Sequence, residues 1–452
     1  MIVKGPDCEA VVIDFFVAAP GRGGHELGEE LVPVPVHFDA STTQVFNAGA
    51  ASCGVPGTAA GLEMALERFG SVPLEELVGS GVSLAREGSP LNSQQAYVLR
   101  ILEPIYTATP EARAIYAPDG HILREGEILR DPDLAAALER YGVEGAASIY
   151  SGEVPDAVEE YVCSRGGILS AADLEAYRPI PREPVGAGFL GHEILTNPPP
   201  SAGGILIAYC LALLERLGSE PGPVELTRVM EAANLARDES FAGELERAGF
   251  AGEFLAAGSL DRALDQDDRL GSTTHLAVMD ESGLCASVTC SNGTGSGMIV
   301  PGTGIHLNNM LGEEDLNPLG FHQAAPGTRV SSMMSPTLIL SQGEVVAGLG
   351  SAGSNRIRSA ILQTTLNLLA GGLAPQAAVD APRIHLEGGL LQAEPGVDAR
   401  ALARLEERDQ EVFRWSERNL FFGGVQVVTR DPGSGRLGGG GDPRRGGAVA
   451  YA

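Results

Sequence analysis

Gly271-Ser272-Thr273-Thr274-His275 puts a threonine hydroxyl at the head of a β-branched run, directly after a polar, irregular stretch. Once that stretch bends, such a hydroxyl can attack the carbonyl that precedes it. Breaking the Ser272–Thr273 bond would leave Thr273 with a free α-amine beside its own hydroxyl. An α-amine titrates near neutrality and can serve as general base for that hydroxyl. The chemistry to expect is autocatalytic cleavage followed by acyl transfer through Thr273. The ordinary alternative is that Thr273-Thr274 only reflects strand propensity.

Three other segments could complete such a site. Ser351-Ala352-Gly353-Ser354 falls between an apolar run and a helical one, so its backbone N–H groups would lie at a helix N-terminus, suited to an oxyanion. Ser331-Ser332-Met333-Met334-Ser335-Pro336 clusters hydroxyls before a strand, and would otherwise be a turn segment. Gly312-Glu313-Glu314-Asp315 offers carboxylates for a substrate ammonium, and would otherwise be a solvated charge run.

Taken in order, these segments resemble the gamma-glutamyltransferases, self-processing N-terminal-nucleophile hydrolases. Ile13-Asp14-Phe15, Pro56-Gly57-Thr58, Pro198 to Gly204, Thr273-Thr274-His275, Leu307-Asn308-Asn309, Ser331 to Pro336, Arg356-Ile357 and Asp442-Pro443-Arg444 match that family's landmarks over nearly the whole chain. The resemblance implies a layered α/β fold, a four-layer αββα sandwich. It implies cleavage between Ser272 and Thr273 into a large-subunit portion, 1–272, and a small-subunit portion, 273–452, which stay associated as a heterodimer. Residue by residue, it makes Thr273 the nucleophile and Ser291 a second hydroxyl that hydrogen-bonds it. Glu313 would bind the donor's α-amino group, and Ser331 and Ser332 its α-carboxylate. Gly353 and Ser354 would be the oxyanion donors, with serine replacing the usual second glycine. The implied substrates are a small γ-glutamyl donor resembling glutathione and an amine or water acceptor, with no cofactor and no metal.

The chain departs from the family in three places. The family's Ile-Asp-Phe-Arg motif, whose arginine clamps the donor carboxylate, reads Ile13-Asp14-Phe15-Phe16 here. A phenyl ring cannot replace a bidentate guanidinium, and Arg22 is the arginine that could take over. Val288 to Gly297 is shorter than the family's segment, and Met310 stands where a polar donor-binding side chain is usual. The chain also begins just before the Asp-Phe strand, which a missing N-terminal segment would explain. These departures keep two alternatives open. One is an amidase or acylase of the same fold acting on a less polar acyl group of glutaryl or cephalosporin type. The other is a non-processing relative that only binds small molecules.

The elements that must position these residues follow from periodicity. Strands are expected at Ala10–Phe16, Thr273–Met279, Leu284–Cys290, Thr337–Leu340, Glu344–Leu349 and Phe422–Thr429. Hairpin turns are expected at Asp280–Gly283 and Ser341–Gly343. Helices are expected at Gly57–Phe69, Asp133–Tyr141, Ile205–Leu217, Val224–Phe241 and Ser354–Leu369, and Ser170 to Asp173 reads as a capping box. Gly21–Pro35 reads as loop, and Glu253–Gly271 as an acidic linker.

With 59 acidic against 31 basic residues and a net charge of −28, the chain lacks the positive potential that nucleic acid or anionic lipid requires. Lys4 is the sole lysine, which excludes lysine Schiff-base chemistry elsewhere. No apolar run is long enough to span a bilayer. The six cysteines form no C-x-x-C pair and read as scattered thiols. His275 and His306 read as core or turn residues. Gly293 to Gly297 has the wrong spacing for a dinucleotide fingerprint. The sequence as it stands carries no secretory signal, so it reads as cytoplasmic, or as periplasmic or secreted if a leader precedes Met1.

Overall fold

A computed structural model describes residues 1–28, 30–37, 43–218, 221–237, 239–256, 273–317 and 320–452. The chain divides into two compact units, each assembled from separate stretches. The first takes residues 1–12, 181–290 and 331–452, and the second takes 13–180 and 291–330.

Strands that belong wholly or largely to the first unit are, in chain order, β1 (Ile2–Lys4), β2 (Val11–Asp14), β3 (Ile180–Arg182), β4 (Val185–Phe189), β5 (His192–Thr196), β6 (Thr274–Met279), β7 (Cys285–Cys290), β8 (Thr337–Ser341), β9 (Glu344–Ala352), β10 (Ile384–Glu387), β11 (Leu390–Ala393), β12 (Glu411–Arg414), β13 (Gly424–Arg430) and β14 (Leu437–Gly441). They form a five-stranded sheet in the order β6-β7-β1-β2-β3, a six-stranded sheet in the order β14-β13-β9-β8-β5-β4, and a small sheet β10-β11-β12. The expected hairpins are present: Met279 pairs with Cys285, and Ser341 with Glu344.

The two large sheets pack face to face. Ile2, Val12, Met279 and Cys285 from one meet Leu338, Leu340 and Val345 from the other in a shared apolar core. Glycine lets β9 come close. A Cβ at Gly348 would stand 2.5 Å from Cys285 Sγ, and one at Gly350 would stand 2.3 Å from the His275 ring. Between them, Ser287 Oγ donates to Leu349 O at 3.0 Å. On the six-stranded sheet lie α1 (Ala202–Leu217), against β4, and α3 (Arg356–Leu369), against β9; α2 (Pro223–Ala236) packs on α1. The first ten residues of α1 are buried on all sides, as a helix apolar around its circumference must be.

In the second unit, helices Thr58–Phe69, Pro132–Glu144, Glu153–Cys163 and Ala171–Ala176 enclose a core that includes Tyr150, Val158, Val162, Leu174 and Tyr177. The capping box is real: Ser170 and Asp173 satisfy each other's backbone N–H. Asp173 also accepts from the N–H groups of Gly21 and Arg22.

Three expectations need correction. The Gly21–Pro35 loop ends early, because Val32–His37 is a strand paired with Thr43–Ala48. Its prolines concealed it, yet a two-stranded ribbon consists only of edges, where proline is tolerated. The Val224–Phe241 helix stops at Ala236, and a separate helix spans Glu239–Glu244. Glu253 belongs to a helix, Phe250–Leu255, rather than to a linker. The acidic run 265–269 and Ser272, one side of the expected cleavage point, lie outside the described residues. Among the described residues no helix is long and apolar enough to cross a membrane.

Candidate active site

The nucleophile candidate opens the edge strand β6 of the first unit. Thr273 is half-buried and directly precedes Thr274, which pairs with Cys290. Two residues on, His275 is buried, with Nδ1 2.9 Å from Thr289 Oγ1 and its ring against Gly350. Burial pushes His275 down to about 3, so the ring is neutral at physiological pH. It packs; it does not ferry protons.

Gly350 belongs to β9, whose end delivers the next candidates. Gly353 has φ +124°, and a Cβ there would stand 2.9 Å from Gly423 Cα, so glycine is required. Ser354, the unexpected serine, sits at φ +49°. A side chain in this region costs about 1–2 kcal/mol, which its surroundings must hold in place. Arg356 N–H bonds Gly353 O and Ile357 N–H bonds Ser354 O, both at 3.0 Å, so the turn runs straight into the N-terminus of α3.

The paired serines rest on α1. Ser332 O accepts from Ala202 N–H at 2.9 Å and from Ser201 Oγ at 3.2 Å, and Ser201 Oγ also reaches Met334 O at 2.8 Å. The proline- and glycine-rich run before α1 is thereby explained. A Cβ on Gly203 would stand 2.2 Å from Met333 O, and one on Gly204 2.0 Å from Asn197 O. That run is a seat for the 331–335 segment.

Ser291 and Glu313 belong to the second unit, linked through Gly293. Ser291 Oγ accepts from Gly293 N–H at 3.1 Å. Gly293, at φ +64°, leaves no room for a Cβ, which would stand 1.9 Å from Asn309 Oδ1 and 2.8 Å from Glu313 Oε1. Asn309 donates to Glu313 Oε1, Thr294 Oγ1 and Asn47 O, and accepts from Thr294 N–H. Sequence reasoning quoted Asn309 only as a landmark; its hub role shows only once Gly293 and Asn47 are beside it. Burial, with a contribution from Asp315, pushes Glu313 up from 4.5 to about 8, against the pull of Asn309 and the Thr294 N–H. Glu313 is therefore mostly protonated at pH 7.

Phe16 is half-buried and packs on a cluster of Val17, Met310, Leu311 and Val330. Its carbonyl accepts from Arg329 Nη1 at 2.9 Å and from the Tyr177 hydroxyl at 2.7 Å. Arg329 is spent on this backbone: it also reaches Arg178 O and Asp14, and lies over the Tyr177 ring. Arg22 packs against Gly327, where a Cβ would stand 2.2 Å from its Nη2. The two departures from the family pattern, Phe16 and Met310, thus share one apolar cluster.

The family model described as gamma-glutamyltranspeptidase matches residues 11–242 and 251–452. The chain is 31% identical to the acylase ACY 1 proenzyme of Pseudomonas sp. strain SE83, over 95% of this chain and 81% of that protein. It is 26% identical to the glutathione hydrolase proenzyme of Escherichia coli strain K12, over 98% and 82%. Among solved structures it resembles the cephalosporin acylase from Bacillus halodurans, with a TM-score of 0.78 at 24% identity over 99% of this chain and 86% of that one. That likeness carries the fold, a layered α/β, αββα sandwich.

Proposed function

Because this chain belongs to the gamma-glutamyltranspeptidase family, we propose that it is a self-processing acyl-transfer enzyme with Thr273 as its nucleophile. Thr273 Oγ1 attacks the Ser272 carbonyl carbon, the C–N bond breaks, and the resulting ester is hydrolysed. This leaves residues 1–272 and 273–452 as paired fragments and frees the Thr273 amine. In turnover that amine accepts the hydroxyl proton as Oγ1 attacks the donor amide, then passes it to the departing amine. The N–H groups of Gly353 and Ser354 stabilise the tetrahedral oxyanion, and the Ser291 hydroxyl orients Oγ1. Water or an amine then takes the acyl group. Glu313 holds an α-ammonium, and Ser331 and Ser332 a carboxylate, when the donor is γ-glutamyl.

The observation that supports this reading best is the contact of His275 with Gly350. It ties the strand that begins after Thr273 to the strand that ends before Gly353. Mass spectrometry of the purified protein should find a fragment beginning at Thr273, and Thr273→Ala should remain one inactive chain. A wild-type chain that stays intact and merely binds glutamate would favour the non-processing alternative and sink this one.

A second reading, an acylase for glutaryl- or cephalosporin-type amides, draws on a separate observation. Glu313 is mostly neutral at pH 7, so the pocket residues place little electrostatic demand on an ammonium. Turnover of glutaryl-p-nitroanilide equal to or better than that of γ-glutamyl-p-nitroanilide would establish it over strict γ-glutamyl specificity.

A further inference from the structure

The oxyanion turn contains a residue, Ser354, in a conformation that side chains avoid. Something behind it must hold it, and the first unit contains a hydrogen-bonded ladder in the right place. Asn355, at the N-cap of α3, and Ser359 and Gln363 within it are spaced four apart along one face. His385 and Glu387, two apart on β10, share one face of that strand. Asn355 Nδ2 donates to Glu387 Oε1 at 2.8 Å. Ser359 Oγ meets His385 Nδ1 at 2.7 Å. Gln363 closes the far end by bonding both backbone groups of Ile384, at 2.8 and 2.9 Å.

The rungs are also joined along the strand. His385 Nε2 lies 2.5 Å from Glu387 Oε2, within hydrogen-bond distance. All the side chains involved are nearly or fully buried. β10 is also anchored by Asn234 of α2, which donates to Leu386 O at 2.8 Å. The rung nearest the active site therefore grips Asn355, the residue that follows Ser354.

We propose that Glu387, held in place by His385, is the positioning residue that sets the two oxyanion N–H donors through Asn355. Neither side chain is a catalytic residue. Their role is to fix where the Gly353–Ser354 turn stands when an oxyanion forms, and it rests on the reading of that turn as the oxyanion site. Misplacing such donors by a fraction of an ångström slows the chemical step while leaving substrate affinity alone.

Glu387→Ala should lower kcat for γ-glutamyl-p-nitroanilide roughly 10- to 100-fold with KM within about twofold, and slow release of the Thr273 fragment. Amide hydrogen exchange over residues 352–357 should quicken in the same variant. Glu387→Gln keeps an oxygen for Asn355 and should recover most of the loss. An unchanged kcat with unchanged exchange overturns the proposal, as does an equal loss in the alanine and glutamine variants. Should Glu387→Ala fail to fold, Glu387→Gln against His385→Gln carries the test, and a larger kcat loss in the second is required. If Thr273→Ala retains turnover, the catalytic reading fails instead, and exchange at 352–357 still reports on the ladder.

Discussion

The imidazole of His275 lies directly on the backbone of Gly350, the two residues holding a β-strand from each large sheet together. Because the ring is neutral, this contact is one of shape, and its sensitivity is to volume rather than to pH.

Gly350→Ala puts a methyl group 2.3 Å from that ring, and the ring is buried and hydrogen-bonded to Thr289, which prevents easy relief. The expected cost is about 1–3 kcal/mol, visible as a lower urea midpoint, with slower appearance of the Thr273 fragment. A variant as stable and as quickly processed as the wild type would contradict the packing described.

Glu313 gives the pH dependence. An ammonium donor needs the carboxylate, so kcat/KM for γ-glutamyl-p-nitroanilide, divided by that for glutaryl-p-nitroanilide, should rise as pH climbs through about 8. The ratio cancels the titration of the Thr273 amine, which both substrates share. Glu313→Gln should flatten it. Stability runs the other way. The folded value lies above the unfolded 4.5, so between 4.5 and about 8 the folded chain holds a proton that the unfolded chain has released. The contribution of this group is therefore full below 4.5 and lost as pH rises towards 8. Urea midpoints of wild type and Glu313→Gln across that range would show it.

Phe16→Arg restores a guanidinium where the family motif has one. The carboxylate it would clamp is common to γ-glutamyl and glutaryl donors, so KM should fall for both, by about tenfold for a charged hydrogen bond. Disturbing the contact with Met310 should cost about 1–2 kcal/mol of stability. A fall in KM for the γ-glutamyl substrate alone would mean that the arginine acts on something other than the carboxylate.

Asp442→Asn should be the most destabilising of these changes. Asp442 is fully buried, 2.7 Å from Arg383 Nη2 and 3.2 Å from Arg444 Nη1, and it accepts from Val425 N–H. Burial alone would raise it, but the two guanidinium groups and the backbone donors hold it below its ordinary value. Neutralising it strands the buried Arg383 guanidinium, at about 3–5 kcal/mol, while Arg444 keeps its pairing with Glu394. A denaturation midpoint close to that of the wild type would refute this.

Local pattern made the hairpins around residues 280 and 342, α1 and α3, and the Ser170 box readable, because each depends on neighbours in sequence. The Val32–His37 strand was hidden by its prolines, whose tolerance depends on the absence of a third strand. The function of the Pro198–Gly204 run was equally hidden, since Gly203 is demanded by Met333, far along the chain. Asp442-Pro443-Arg444 was legible as a landmark but not as a buried ion cluster, because Arg383 and Glu394 arrive from elsewhere. Thr273, Gly353 and Glu313 stand out as candidates by type and order. The protonation of Glu313 depends on enclosure, which no spacing records.

The strand order has a consequence for how the protein ages. β1 pairs with β7 from Ile2↔Ser287 to Lys4↔Cys285, and β5 pairs with β8 at Leu195↔Leu338, so strands from both sides of position 273 share both large sheets. A cut before Thr273 would leave these ladders in place while turning one chain into two. The native fold would hardly register the change. Denaturation would, because the precursor unfolds into a single molecule and the cut protein into two. Its melting point would then depend on protein concentration and its refolding would become second order. Maturation would thus make every later unfolding event harder to reverse, and most of all in dilute solution.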